Sequence, residues 1–398
     1  MGTKFRKYIL RLAFLFGFAS LASWMPMLNL WMDQKSITGS SIGLLSAIPW
    51  IVMLVVQPFV GMLADKYGKI LLLRISLILS SLLFLIIPFA ANNITAIAFL
   101  ITILSIFNTP VLALLDSITL DEVEADEKMG YTHFRFWGAP GYALGALVTG
   151  NLIPGFGMDV LFYTSSGFLV LTWLALLNFK PLLNTSNRKD LSFEGMGKFI
   201  TKGAILLFLT VITIVSVGQS AINFFLTIYL KEIGSTPQNT GIVLGVQAIS
   251  ELPFYFIGGW LLRKMEPSKV VVIAIFFSAV RLFLYSFNNN PQAVVFIETM
   301  NGITWTLLWI SCVEFIDKKM PAKWRTTGQS LLWAAYFGAG AIIGNMFSGI
   351  LYEQVGIKKV FVINGVIILI TSIMAYYFFF KSKPETDSST MKPKLWIP

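Results

Sequence analysis

Apolar residues come in uninterrupted runs of about 20, separated by short polar connections, along almost the whole chain. A run of that length crosses a hydrocarbon core of roughly 30 Å as a helix. Hydrophobic residues make up 56% of the sequence and charged residues 13%. A soluble chain of 398 residues would need far more polar surface than that. The chain reads as an all-α polytopic membrane protein.

Twelve spans can be drawn, at 8–31, 41–63, 70–90, 94–118, 131–153, 158–179, 202–230, 238–262, 268–287, 291–315, 326–351 and 357–380. The basic start (Lys4, Arg6, Lys7, Arg11) has no small-residue cleavage site after its apolar run, so it reads as a retained first span and not a signal peptide. The longest polar connection separates spans 6 and 7. It divides the chain into a first six-helix half (1–180), a linker (181–201), a second six-helix half (202–380) and a tail (381–398).

A net charge of +10 taken alone would suggest nucleic acid, but basic residues clustered in short loops are a topology signal instead. Of the 30 Lys and Arg, Lys35, Lys231, Lys358 and Lys359 fall on one side and Arg135 and Arg281 fall inside spans. The rest gather on the side of the N-terminus. That bias places both termini in the cytoplasm, with the plasma membrane as the expected location. Asp121, Glu122, Glu124, Asp126 and Glu127 make one inner loop acidic, but acids count little in this rule.

Function classes narrow quickly. One cysteine, Cys312, excludes an intrachain disulfide, and with the lone His133 it leaves no metal-ligand cluster. No Ser-His-Asp set or HExxH motif is present, so an enzyme is not expected, nor a cofactor or nucleic-acid partner. Two six-helix halves suit a transporter, since rocking one against the other alternates access to a midplane site. The repeat itself is faint: Gly259-Trp260-Leu261-Leu262-Arg263-Lys264 stands between spans 8 and 9 where Gly61 to Lys69 stands between spans 2 and 3.

Ionisable groups within spans are costly in lipid and mark function by default. Here they are Asp116, Arg135, Glu251, Arg281 and Glu298. Glu251 lies twelve residues before Arg263, and Arg281 twelve after Lys269. Each is therefore about 18 Å from the inner end of its span, which sets an acid and a base at one depth. They form either a substrate or proton site or an ion pair pinning two helices. Asp116 and Arg135 lie nearer the inner ends, where snorkelling to water is the competing explanation. Glu298 is either a wetted cavity residue or an interfacial one. Trp24, Tyr142, Trp305 and Trp309 offer stacking faces, and Asn29, Gln219, Asn223 and Asn301 neutral donors and acceptors. Glycines in spans 5 and 11 permit close helix approach.

Gly61-Met62-Leu63-Ala64-Asp65-Lys66-Tyr67-Gly68-Lys69 reads as a tight charged turn between spans 2 and 3. The pattern resembles the signature loop of the major facilitator superfamily. That resemblance implies the superfamily fold and a gating loop built on Gly61, Asp65, Lys66, Gly68 and Lys69. Asp65 is then expected to face the N-terminus of span 11, near Lys323, Arg325, Thr326 and Thr327, as a latch on the cytoplasmic side.

Further segments resemble the oligosaccharide:proton symporters of the lactose-permease type. They are Arg135-Phe136-Trp137-Gly138 through Gly141-Tyr142, Asn108-Thr109-Pro110 leading to Asp116, Gln57-Pro58, and Ser250-Glu251. The resemblance implies substrate contacts at Asp116, Arg135, Tyr142, Glu251 and Asn301, and proton coupling at Glu251, Arg281 and Glu298. The departures are real. The symporters' helix 10 coupling pair falls on Asn301 and Thr304, and Glu298 replaces a lysine. Tyr131 to Gly138 and Arg325 to Gln329 resemble the broader group that includes phenylpropionate permeases.

The reading is a secondary transporter, expected to act as a monomer in the lipid bilayer. It would import a sugar, an oligosaccharide or a similar small polar solute with a proton. The alternatives are an exporter of drugs or metabolites, an importer of nucleosides or aromatic acids, and a non-transporting receptor. Span 5 lacks the Gly-Pro pattern of drug antiporters.

Overall fold

The computed structural model describes residues 3–90, 93–125, 131–179, 203–321 and 325–381. Within them it leaves out the side chains of Thr3, Lys4, Pro58, Asp65, Glu124, Ala125, Thr132, Arg325, Thr326, Phe380 and Lys381. The expected linker and nearly all of the tail lie outside the described residues.

Each apolar run becomes a helical rod, several of them broken. In chain order they are α1 (Thr3–Trp24 continued by Leu28–Gln34), α2 (Gly39–Tyr67), α3 (Lys69–Ile86) and α4 (Ile94–Ala125). Next come α5 (Thr132–Arg135 and Gly138–Phe156), α6 (Val160–Leu176), α7 (Gly203–Glu232) and α8 (Pro237–Ile249 and Glu251–Lys264). Then follow α9 (Pro267–Phe287), α10 (Pro291–Glu298, a π-helical turn Gly302–Leu307, Leu308–Lys319), α11 (Arg325–Trp333, a π-helical stretch Ala334–Gly340, Ala341–Val355) and α12 (Ile357–Lys381). Among the described residues ten rods are long and apolar enough to cross a membrane. The other two are the shorter apolar α6 and the broken, glycine-rich α5.

The signature stretch departs from its expected form. Instead of turning over nine residues, α2 stays helical through Gly61 and Lys66 to Tyr67. Gly68 alone makes the corner, at φ 95°, a backbone angle that side chains resist. One residue suffices because α3 begins at once with Lys69.

Within the first half, α1 packs on α5 and α6. Gly141 and Gly145 of α5 lie directly on the backbone of Leu15 and Ala19, leaving no room for a Cβ. The second half packs α12 on α9 and α7, and α7 on α11.

The halves meet along α5 with α8 and α2 with α11. Both contacts run glycine against glycine: Gly150 on Gly241, and Gly39 and Gly43 on Gly349. A Cβ at Gly150 would sit 2.7 Å from the Pro237 carbonyl oxygen. These contacts all lie at the end of the bundle away from Gly68. At the Gly68 end Met62, Leu63, Tyr67, Tyr255 and Trp260 stand exposed. The hydrogen bonds from Thr227 to Pro26, from Ser40 to Glu353 and from Lys231 and Tyr352 to Asp33, which join the halves, also lie at the end away from Gly68.

Gly145→Val tests the α1–α5 contact. Overpacking of this kind costs about 1–3 kcal/mol. The expected result is a clear fall in the melting temperature of the detergent-solubilised protein, whereas Gly155→Val, with open space around that position, leaves it unchanged.

Candidate functional site

The candidate residues collect where helices break. Arg135 closes the short first segment of α5, Glu251 opens the second segment of α8, and Asn301 immediately precedes the π turn of α10. Breaks free backbone groups in lipid, so they are tolerated where protein or a wet cavity receives those groups. Ser250, at the α8 break, uses its hydroxyl this way. It donates to the Gln247 carbonyl at 2.8 Å and the Glu298 carbonyl at 3.3 Å.

In the second half, a fully buried ion pair forms between Arg281 of α9 and Glu298 of α10. The guanidinium also donates to Asn301 Oδ1 at 2.9 Å, Thr304 Oγ1 at 2.8 Å and Tyr285 Oη at 3.0 Å. Tyr285 in turn donates to Glu298. Asn301 passes the connection on, its Nδ2 donating to Glu251 Oε1 at 3.1 Å and to the Gln247 carbonyl at 3.1 Å. On the other side Gln219 of α7 donates to the Thr304 carbonyl at 3.2 Å and accepts from Tyr336 Oη of α11 at 2.8 Å. One network thus links five helices.

The acid–base match expected at the midplane is resolved differently from the sequence reading. Arg281 takes Glu298, not Glu251, as its ion partner, and Glu251 reaches Arg281 only through Asn301. Glu298 is neither wetted nor interfacial, being 0% exposed. Glu251 keeps partial exposure, with Asn301 and Tyr255 as neutral partners.

In the first half, Arg135 lies over the Phe18 ring, 4.2 Å from its centroid. Asp116 of α4 accepts from Tyr131 Oη at 2.7 Å. Asp116 and Arg135 are close enough for their charges to interact, and Arg135 acts on Glu251 across the gap. Tyr142, half-buried in α5, lies within range of both Glu251 and Glu298. Asp116, Arg135 and Tyr142 of the first half and Glu251 of the second are thus connected through electrostatic range at Arg135 and Glu251, and Asn301 bonds Glu251.

The aromatic candidates divide. Trp24 is buried against Phe84 of α3, and Asn29 is buried while accepting from Ser46 at 2.5 Å; both belong to the first half's core. Trp305, on the π turn of α10, and Trp309, one turn beyond it, stack on each other, 5.6 Å between centroids and 19° apart. Phe337, on the π stretch of α11, joins them and also stacks on Trp50 of α2 at 5.6 Å. The Trp50 indole N–H is buried without a partner. Asn223, on the far-end third of α7, is exposed and lies near Tyr336.

Of the gating loop, Lys69 pairs with Asp121 of α4 at 2.6 Å, and Lys66 lies 5.1 Å from the Tyr67 ring centroid. Gly61 and Lys69 line a cavity of about 140 Å³ against Pro110 and Ser117 of α4. The Asp65 side chain and its expected partners from Lys323 to Thr326 lie outside what is described.

Sequence reasoning missed Tyr285, Tyr131, Tyr336, Trp50 and Phe337. Tyr285 was recoverable, since it follows Arg281 by one helical turn. The others depend on which way a rod is rotated.

The architecture is that of a two-half membrane transporter. The sequence profile of the MFS_1 like family matches residues 8–363. The chain belongs to that family of the major facilitator superfamily, whose members are transporters and not enzymes. Among its relatives, a maltose permease of Geobacillus stearothermophilus is 23% identical over 376 residues, covering 93% of this chain and 95% of the permease. The multidrug resistance protein MdtG of Salmonella choleraesuis is 25% identical over 71% of this chain and 73% of its own. A crystal structure of the nucleoside transporter NupG superposes with a TM-score of 0.82 at 19% identity, covering 94% of this chain and 99% of that one, and so shares the fold.

The buried pair invites a double-mutant cycle. Arg281→Met leaves an uncompensated carboxylate and Glu298→Met an uncompensated guanidinium, each expected to cost about 3–5 kcal/mol. The Arg281→Met/Glu298→Met double variant is expected to recover much of that in thermal denaturation, because both charges leave together. Additive losses would show that the two side chains do not act as a pair.

Proposed function

We propose that the protein is a proton-coupled symporter. It imports a sugar, an oligosaccharide or a similar small polar solute across the plasma membrane, with both termini in the cytoplasm. The observation that carries this reading is the position of Glu251. Of Glu251 and Glu298, the two carboxylates within spans of the second half, it is the partly exposed one, it lies within electrostatic range of Arg135 and Tyr142 of the first half, and it is tied through Asn301 to the Arg281–Glu298 pair. Full-length similarity to a maltose permease supports the substrate class.

Carboxylates, amides and a guanidinium around one space give directional hydrogen bonds to hydroxyl groups. Tyr142 and the Trp305–Trp309 stack offer ring faces beside them. That stack also favours a second reading, an importer of nucleosides, whose flat base fits an indole face. Both arginines here have carboxylates close by, Arg135 those of Asp116 and Glu251 and Arg281 that of Glu298, which favours an uncharged solute over an anion. The coupling proton rides on Glu251, and Arg281, one amide away through Asn301, is the group that helps expel it. On the cytoplasmic side the signature loop acts as a latch, closed while the cavity faces out. The described state, open at the Gly68 end, is then inward-facing.

Two measurements in reconstituted vesicles test this. A transported sugar added outside should alkalinise the medium, and uptake should fall as external pH rises toward the internal value. Glu251→Gln should abolish uphill uptake while leaving solute exchange, which needs no net proton movement. Uphill uptake by that variant would remove Glu251 from the coupling role. For the latch, Asp65→Asn should shift the protein toward inward-facing states and slow transport. Unchanged flux with unchanged inside accessibility of labelled cysteines would refute it.

A further inference from the structure

Among the contacts that seal the end away from Gly68, those of two helices converge on one side chain. Asp33, near the end of α1, accepts from Lys231 Nζ of α7 at 2.7 Å and from Tyr352 Oη of α11 at 2.9 Å. The Tyr352 hydroxyl also lies within hydrogen-bond reach of Glu232. A carboxylate of the first half thus holds the ends of two helices of the second.

Asp33 stands on a firm base in its own half. The segment Leu28–Gln34 is set off from the rest of α1 by a break at Met25 to Met27. Its Trp31 indole donates to Asp159 at the start of α6, at 2.6 Å, and packs edge-on against Phe162. Lys35 lies over the other side of the same indole region, 5.8 Å from the ring. Ser36 then turns the chain with φ 59°, a left-handed angle that few non-glycine residues adopt. Its amide is held on the Asp33 carbonyl at 3.0 Å.

Around this hook the other fastenings between the halves are backbone-assisted and small. Thr227 donates to the Pro26 carbonyl at 2.8 Å, the Ser40 amide donates to Glu353 at 2.9 Å, and Gly39 lies on Gly349. Of these, the Ser40–Glu353 contact alone involves a charged group, and its partner is a neutral backbone amide. Asp33 and Lys231 are partly accessible, with side-chain exposures of 17% and 45%, so water can compete for them when the halves part. A latch that must open in every cycle needs that property.

We propose that Asp33 is the outer latch of the transporter: it holds α7 and α11 against the first half while the cavity is open at the Gly68 end. The proposal rests on the alternating-access reading above but not on the identity of the solute. The reporter is a single cysteine at Asn223, an exposed polar residue of α7, in a Cys312→Ser background. Its reaction with a membrane-impermeant maleimide is followed separately from each face of sealed vesicles.

Asp33→Asn and Lys231→Met are each expected to raise outside labelling several-fold and lower inside labelling. The charge-reversed Asp33→Lys/Lys231→Asp pair should return both rates toward those of the parent. Tyr352→Phe, which keeps the ring, should shift them in the same direction by less. If the parent labels from both faces and neither single variant differs from it, Asp33 is not the latch. If the parent never labels from outside while both variants also fail to, it is the alternating-access reading itself that falls. Should Asp33→Asn not fold, Lys231→Met and Tyr352→Phe give the same decision.

Discussion

A guanidinium cannot shed its charge at any accessible pH, so Arg281 in the middle of α9 must be neutralised where it stands. Glu298 supplies the opposite charge, and Asn301, Thr304 and Tyr285 take three more of the five donors. Satisfying one residue therefore sets the rotation of α10 against α9, and through Asn301 and Gln219 that of α8, α7 and α11. Such a pair adds little net stability, because desolvation offsets much of the Coulombic gain. What it contributes is geometry. It also decides which acid is left over: Glu251 sits at the rim of the network with neutral partners, facing the first half.

The broken helices follow from the same need. A continuous α8 or α10 would bury all its backbone groups and present side chains at a fixed 100° step. The kink at Ser250 and the π turn at Gly302–Leu307 change that step just where Glu251, Asn301 and Trp305 must point inward. The glycines work in the opposite sense. Gly141, Gly145, Gly241 and Gly349 remove side chains where rods touch, so the breaks are not filled by bulk from neighbouring helices.

Much of this was legible in the sequence, and the boundary of legibility is physical. Run length and charge placement yield the rods, their order and the short list of intramembrane charges, because each of these depends on depth alone. Depth put Glu251 and Arg281 on one level, correctly. It could not say which of two acids the arginine faces, since that depends on rotation about each helix axis and on a π turn no apolar pattern announces. Trp24 and Trp305 illustrate the same limit. They are one residue type at comparable depth, yet one seals a core against Phe84 and the other stacks beside the shared space. Gly61 and Lys66 looked like turn residues by composition, but α2 lies against α4 there, with Val60, Gly61 and Ala64 beside Pro110, Ala113 and Leu114, and stays helical to Tyr67.

The two kinds of ion pair in the structure mark which contacts a transport cycle can use. Turning a two-state equilibrium from one side to the other takes only about 5.5 kcal/mol of differential interaction. A gate contact worth more than that would hold the protein in one state. Arg281 and Glu298, with side chains 3% and 0% exposed, cannot part without stranding charges in lipid, so they move as one body with their half. Asp33 and Lys231, at 17% and 45%, exchange each other for water at modest cost. The buried pair therefore belongs to the rigid part of the second half, and the half-exposed pair to the surface along which the two halves separate.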